Sequence, residues 1–279
     1  MAFYATNFIF DNIPSEEYGL IINSPDGESS TDSSHNVELI TEEVYRRHTP
    51  YFYGVNQSQM ISFPASVRSV NGEITAEDSS YIQRWLFGQL TFKELRIVQP
   101  DMEGYYYKCF LLDPQTIRVG NIIVGYDFTV QLDSPFAYGE QAEILVQNPY
   151  TSTISFVNES DDNYYTYPIV KIRMNTNEDS PQVGFYFKVT NQSDNNRVFQ
   201  LGTPTNDLNP SEYIVINNNL QTILSYTDFS MTTLTTEKRI QDLQNGYFFR
   251  LVKGLNTLVF DSRNTYQFTI QYIPLKRIT

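Results

Sequence analysis

The stretch from Tyr105 to Tyr138, YYYKCFLLDPQTIRVGNIIVGYDFTVQLDSPFAY, decides the fold class. Ile122, Val124, Tyr126, Phe128, Val130 and Leu132 alternate with Ile123, Gly125, Asp127, Thr129 and Gln131. Period-two alternation of this length predicts a strand with one face on a core and a mainly polar face outside. The run before it, Tyr105 to Leu112, has the same β-rich character but is apolar on both faces. It is therefore a central strand or one covered by a neighbouring subunit. Asp133-Ser134-Pro135 ends the second strand, because proline cannot donate to a ladder and biases its predecessor away from helix. The whole reads as two adjacent strands followed by a domain exit.

Towards the N-terminus, Phe3 to Ile13 predicts a short strand closed by Pro14, and Tyr18 to Ile22 a second. Ser24 to Asn36 is polar and Ser-rich and reads as a loop. Val37 to Val44 and Gln59 to Phe63 resume the strand pattern around a turn-rich stretch from Pro50 to Asn56. One helix interrupts the strands at Ala76 to Phe87. Thr75 caps it, Asp78 stands three residues later in capping-box-like spacing, and Glu77 suits the positive helix end. Ile82, Trp85 and Leu86 share one helical face before Gly88.

After Tyr138 a link containing Asn148-Pro149-Tyr150 leads to a new set of strands. Val170, Ile172 and Met174 alternate with Lys171 and Arg173, and Val183, Phe185, Phe187 and Val189 follow the same period. Tyr213–Ile216, Thr222–Tyr226, Tyr247–Val252, Leu258–Phe260 and Tyr266–Tyr272 complete the set, with a turn at Gly254-Leu255-Asn256. Short strands at such intervals predict an antiparallel sandwich. A short helix is expected at Thr236 to Leu243.

The chain has 279 residues, which points to two domains, with 41% hydrophobic and 15% aromatic residues to fill their cores. A net charge of −13 argues against an exposed nucleic-acid surface, which needs clustered Lys and Arg. One cysteine, Cys109, excludes an intrachain disulfide. The N-terminus lacks the charged and apolar regions of a signal peptide, and no run approaches membrane-spanning length, so a soluble protein made in the cytoplasm is expected.

Nothing in the sequence calls for catalysis. His35 and His48 have no Cys/His cluster to complete a metal site. The acidic pairs Glu16-Glu17, Glu42-Glu43 and Asp161-Asp162 read as solvated charge. No phosphate-cradling glycine motif or nucleophile elbow occurs. No cofactor and no metal are expected. The aromatic clusters Tyr51-Phe52-Tyr53, Tyr105-Tyr106-Tyr107 and Tyr164-Tyr165 with Tyr167 suit protein interfaces or sugar stacking, or send alternate members into the core. Together, 21 Tyr and 19 Phe are hard to bury in one subunit, which favours an oligomer.

Taken in order, these segments resemble the siphophage distal tail (Dit) family. The resemblance rests on Tyr18-Gly19-Leu20-Ile21, the Trp-containing helix, Tyr105 to Phe136 and the closing Asp133-Ser134-Pro135-Phe136-Ala137-Tyr138. In the second half it rests on Tyr167-Pro168-Ile169-Val170, NGYFFRLVKGLNTLVFD from Asn245 to Asp261, and YQFTIQYIPL from Tyr266 to Leu275.

The resemblance implies a mainly β protein of two domains. Residues 1–140 would form a β-sandwich-like domain with one helix that closes a ring. Residues 141–279 would form a galectin- or carbohydrate-module-like β-sandwich that docks partners. It implies a structural, non-enzymatic homo-hexamer at the virion tail tip, joining the tail-tube protein to the tail-tip protein and to receptor-binding proteins. DNA would be passing cargo in its channel, with no membrane insertion. The second domain is too short for an inserted sugar-binding module, so docking of partner proteins is expected over direct adhesion. The competing reading is a carbohydrate-binding host-wall adhesin. The candidate subunit interface comprises Tyr105, Tyr106, Tyr107, Phe110 and Trp85, with Trp85 equally the core anchor of its helix.

Overall fold

The computed structural model describes residues 6–23, 37–43, 45, 48–57, 61–147, 152–174, 187–202, 213–226, 243–244, 246–262 and 266–277. The expected Ser24–Asn36 loop with His35, the Asn148–Tyr150 link, the start of the strand at Val183 and Phe185, and the short helix before Leu243 lie outside these residues. The chain forms two compact units, one of residues 1–139 with 276–279 and one of residues 140–275. It is mainly β, with antiparallel sheets and one α-helix among the described residues.

The first unit begins with β1 (Phe8–Phe10) and β2 (Ile13–Pro14). The expected single strand from Phe3 to Ile13 breaks at Asp11 and Asn12, whose φ values of 49° and 66° make a tight hairpin turn. Both residue types tolerate the left-handed conformation that such a turn requires at its two centres. A 3-10 turn (Ser15–Tyr18), ended by Gly19 at φ 57°, leads into β3 (Leu20–Asn23).

Among the described residues, β4 (Val37–Glu42) and β5 (Tyr51–Gln57) pair only with each other. The Pro50–Asn56 stretch, expected as turns, is thus mostly strand. Its β-branched and aromatic residues outweigh Gly54, which sits at φ 150° beside the bulge where Tyr53 has no cross-strand partner.

β6 (Ser62–Ser69), α1 (Ala76–Phe87), β7 (Lys93–Ile97), β8 (Tyr107–Val119), β9 (Ile122–Leu132) and β10 (Phe136–Tyr138) complete the unit. Seven strands form one sheet in the order β2-β1-β7-β8-β9-β6-β3. Thr6, just ahead of β1, exchanges backbone hydrogen bonds of 3.2 and 2.9 Å with Ile22 of β3. The sheet is therefore curled until its two margins meet, which removes an exposed edge. Inside lie Phe8, Phe10, Val67, Leu95, Tyr107, Cys109, Leu111, Tyr126, Phe128, Val130 and Leu132, closed over by Ile82, Trp85 and Leu86 of α1. The Thr75 hydroxyl caps that helix by accepting from the Asp78 N–H at 3.1 Å.

The alternation of β9 holds from Tyr126 to Leu132 and fails before it. Ile117 pairs with Gly125 but Arg118 with Ile123, so Val124 is an extra residue in the ladder. That bulge swaps the faces: Ile123 packs on the core while Ile122 stays exposed. Gly125 is required here, because a Cβ would lie 2.1 Å from the Val67 carbonyl oxygen of the paired strand.

The second unit is a sandwich. β11 (Ala142–Gln147), β12 (Thr153–Asn158), β13 (Ile169–Met174), β14 (Phe187–Asn191), β15 (Arg197–Leu201), β16 (Tyr213–Asn217), β17 (Thr222–Tyr226), β18 (Gly254–Ser262) and β19 (Tyr266–Tyr272) make two antiparallel sheets. Their orders are β11-β19-β13-β16-β17 and β12-β18-β14-β15. Both inner faces feed one core, and Phe187 of one sheet stacks on Phe268 of the other at 5.0 Å. The expected strand from Tyr247 to Val252 forms no ladder. It makes a single bridge, Leu251 to Thr166, because Phe248, Phe249 and Leu251 are all buried and fill the end of the core instead of alternating. β20 (Leu275–Arg277), whose Lys276 and Arg277 belong to the first unit, pairs with β10 of that unit.

Candidate functional site

The five residues singled out from the sequence share a neighbourhood only in part. Tyr107 is buried, 1% exposed, on the inner face of β8, and its hydroxyl lies 3.4 Å from the Met102 sulfur. Trp85 is 7% exposed. Its ring stacks between Phe8 and Tyr18, with centroids 5.8 and 5.1 Å away, and its indole N–H donates to the Phe10 carbonyl. Both belong to the core of the first unit, so neither offers its side chain to a partner. Phe110, three residues further along β8, points the other way and meets Phe92 edge to face at 4.7 Å. Tyr105 packs on the margin of the core, with the Lys276 ammonium 4.6 Å from its ring centroid.

Tyr106 has a different setting. Its ring stacks on Tyr138 at 5.6 Å, and the two residues exchange backbone hydrogen bonds. Arg96 lies over Tyr106 at 4.9 Å and Lys108 over Tyr138 at 4.8 Å. The Tyr138 hydroxyl donates to Asp133 at 2.9 Å. Burial is the main cause that raises the Tyr106 and Tyr138 hydroxyls above their ordinary values. It also raises the Asp133 carboxyl, against the lowering pull of the Tyr138 hydrogen bond. A stacked tyrosine pair clamped by an aspartate holds the chain where it leaves the first unit. Cys109, buried alongside, has its thiol pushed far above the usual range by desolvation, which removes it as a nucleophile.

Exposed apolar surface gathers outside the five candidate interface residues, in part on the Tyr51-Phe52-Tyr53 cluster. The β4–β5 hairpin exposes Leu39 (61%), Ile40, Tyr51, Phe52 (63%) and Tyr53, and none of them joins a core. They stand in the open because no other described strand or helix covers the hairpin. Its signal was present in the sequence, as two short runs each apolar at successive positions, but turn residues nearby masked it. The β8–β9 hairpin likewise carries Leu112, Val119 and Ile122 in the open. A cleft of about 390 Å³ opens beside β1 and β7, lined by Ile9, Val98, Gln99, Pro100, Met102 and Tyr105 among others.

In the second unit, loops at one end of the sandwich present tyrosines backed by arginines. Arg250 lies 3.4 Å from the Tyr165 ring centroid and grips Asp194 through two hydrogen bonds of 2.7 and 3.0 Å. Arg197 covers one face of Tyr247 at 4.3 Å. A network of buried asparagines (Asn158, Asn191, Asn218 and Asn256) supports these loops by bonding their backbone groups. No cluster of metal-ligating side chains occurs among the described residues, His48 and Asp161-Asp162 included. Among those residues no helix is long and apolar enough to cross a membrane.

Comparison with known proteins bears on the fold. A solved structure of the Dit protein (gp 19.1) of phage SPP1, described as a paradigm of the hub adsorption apparatus in phages infecting Gram-positive hosts, superposes with a TM-score of 0.63. The match covers 97% of this chain and 99% of that one at 11% identity, so the two share a fold. The baseplate of phage p2, in its activated conformation with Sr, matches over 96% of this chain and 98% of that one, at 11% identity and a TM-score of 0.46. No sequence among the curated proteins matches. Two family profiles match the sequence in tandem, the phage tail protein N-terminal domain at residues 3–134 and the phage tail C-terminal domain at residues 136–275. With both halves accounted for, the chain belongs to this family of phage tail proteins.

Proposed function

We propose that this protein is the distal tail hub of a siphophage, a structural protein and not an enzyme. The carrying observation is the end-to-end fold shared with the SPP1 hub protein, in a chain whose two halves both match phage tail domains. Six copies close a ring through their first units at the virion tail tip, and DNA passes through the channel as cargo. The ring joins the tail-tube protein on one side to the tail-tip protein on the other. The second units dock receptor-binding proteins. The division of labour follows the two units: residues 1–140 build the ring and residues 141–279 dock. Of the five residues expected at the subunit interface, Tyr105, Tyr106 and Phe110 remain candidates, while Trp85 and Tyr107 act by shaping the core beneath. The protein is made in the host cytoplasm and acts in the virion.

The deciding experiment is the mass in solution, by light scattering after size exclusion across a concentration series. A mass near six times the 32.4 kDa subunit supports the hub. A second reading, a carbohydrate-binding adhesin, draws on the exposed Tyr165 and Tyr247 held by Arg250 and Arg197. A strict monomer that binds cell-wall glycans would favour it.

A further inference from the structure

The sandwich of the second unit is sealed on one side and open on the other. On the sealed side the edge strand β15 receives a bridge from Leu243 to Leu201 and a 3.1 Å hydrogen bond from the Gln244 N–H to the Gln200 carbonyl. Phe199 and Leu201 of β15 and Ile223 of the edge strand β17 face the core and are at most 2% exposed. On the other side stand the edge strands β11 and β12. Tyr272, paired with Ala142 of β11, donates its hydroxyl to the Val157 carbonyl of β12 at 3.4 Å, so the two strands flank one opening. Ala142, Ile144, Ile154 and Phe156 pack on the core from these strands, yet each stays partly exposed.

β12 has none of the devices that keep an edge from pairing. Its sequence, TISFVN, holds no charge and no proline, and its register with β18 runs from Thr153 to Asn158 without a bulge. The Phe260 N–H donates to the Ser152 carbonyl at 2.9 Å, and residues along an antiparallel pair alternate between bonded and unbonded. Ile154, Phe156 and Asn158 therefore bond to β18, while Thr153, Ser155 and Val157 turn their N–H and C=O groups to the open side. Among the described residues no backbone group pairs with them there.

We propose that this edge takes an extended segment of a docking protein, added to the sheet as a further strand against β12. A row of alternating backbone donors and acceptors selects an extended peptide. The uncharged edge selects an uncharged segment. The half-covered Ile144, Ile154 and Phe156 select apolar side chains at every second position. A second copy pairing β12 with β12 would make a two-fold contact, which closes a dimer and not a rotational ring. The inference deepens the docking role proposed for residues 141–279 and rests on that reading for its donor, a different protein.

Amide hydrogen exchange on the full-length protein tests it, free and in purified virions of the phage that encodes it. In the free chain, Ser155 and Val157 should exchange at least about tenfold faster than Ile154 and Phe156, as amides outside and inside a ladder do. In the virion all four should be slow. Slow exchange at Ser155 and Val157 in the free chain at every dilution would show that the chain's own residues cover the edge, and would overturn the proposal. Slowing that appears only as concentration rises would assign the edge to a second copy and overturn it too. Fast exchange retained in the virion would overturn the added strand and leave the hub reading standing. Absence of the protein from the virion would overturn both. Ser155→Pro is a second measure, since the N–H it removes faces away from β18. The free variant should keep the wild-type melting temperature. Virions carrying it should lose a tail protein that Ser155→Ala virions retain, and an equal tail composition would overturn the proposal.

Discussion

The indole N–H of Trp85 donates to the backbone carbonyl of Phe10 at 2.9 Å, which ties the only α-helix among the described residues to the first strand of the curled sheet. The two groups are 75 residues apart in sequence, so the bond joins distant parts of the first unit's chain path. Truncation to Trp85→Ala should cost about 3–5 kcal/mol by removing the ring from between Phe8 and Tyr18. Trp85→Phe keeps most of the packing and should cost about 1 kcal/mol more than repacking alone, from the lost hydrogen bond. Denaturant unfolding at equilibrium reads both. An alanine variant within about 1 kcal/mol of wild type would refute this anchoring role.

Cys109 should be silent to thiol reagents in the native protein. Its side chain is fully buried between β7 and β9, and desolvation with the nearby Asp133 charge disfavours the thiolate. Reaction with a chromogenic disulfide should appear only as urea unfolds the first unit. Rapid labelling without denaturant would contradict this.

Asp133 links stability to pH. Burial raises its carboxyl above the ordinary 3.8, so its contribution is fully present below 3.8 and is lost as pH rises through the folded value. Asp133→Asn cannot ionise and still accepts from Tyr138. It should therefore gain on wild type as pH climbs from below 3.8 towards neutrality. Urea midpoints for both proteins across that range give the comparison, and a difference independent of pH would rule the account out.

Gly125→Ala should destabilise the first unit by about 1–3 kcal/mol, as overpacking does. The new Cβ would meet the Val67 carbonyl oxygen, a backbone atom that cannot rotate away. The nearby Gly120, at a turn with open space around it, has only its positive φ to lose and should suffer less from the same substitution. Paired thermal melts decide the order.

The Arg250–Asp194 pair should respond unequally to truncation. Asp194 is 2% exposed and Arg250 19%. Arg250→Ala strands a buried carboxylate and should cost about 3 kcal/mol, whereas Asp194→Ala leaves a guanidinium that reaches water and still stacks on Tyr165. Equal losses in chemical denaturation would show that the asymmetry of burial does not govern the pair.

Much of this molecule was legible one residue at a time. The helix boundaries follow from Thr75 and Gly88, since a hydroxyl cap and a terminal glycine act within a single turn. The sandwich strands follow from alternations such as Val170 and Ile172. Other features were less so. The Asp11-Asn12 turn was readable from its residue types but lay inside an apolar run that hid it. The buried run Phe248, Phe249 and Leu251 has no strand period because it plugs the end of a core, and nothing local marks a plug.

By itself the sequence determined the β class, the two units and the capped helix at Ala76–Phe87, because these rest on periodicity and capping within a few residues. It also marked the aromatic clusters as important. Only the tertiary structure decided which aromatics face inward. Tyr107 and Trp85 are core while Phe52 and Tyr53 stand in the open. The physical reason is that a strand's two faces differ by one residue: a bulge at Val124 or Tyr53 exchanges them, and strand order in the sheet, set by contacts far apart in the chain, determines which face is covered.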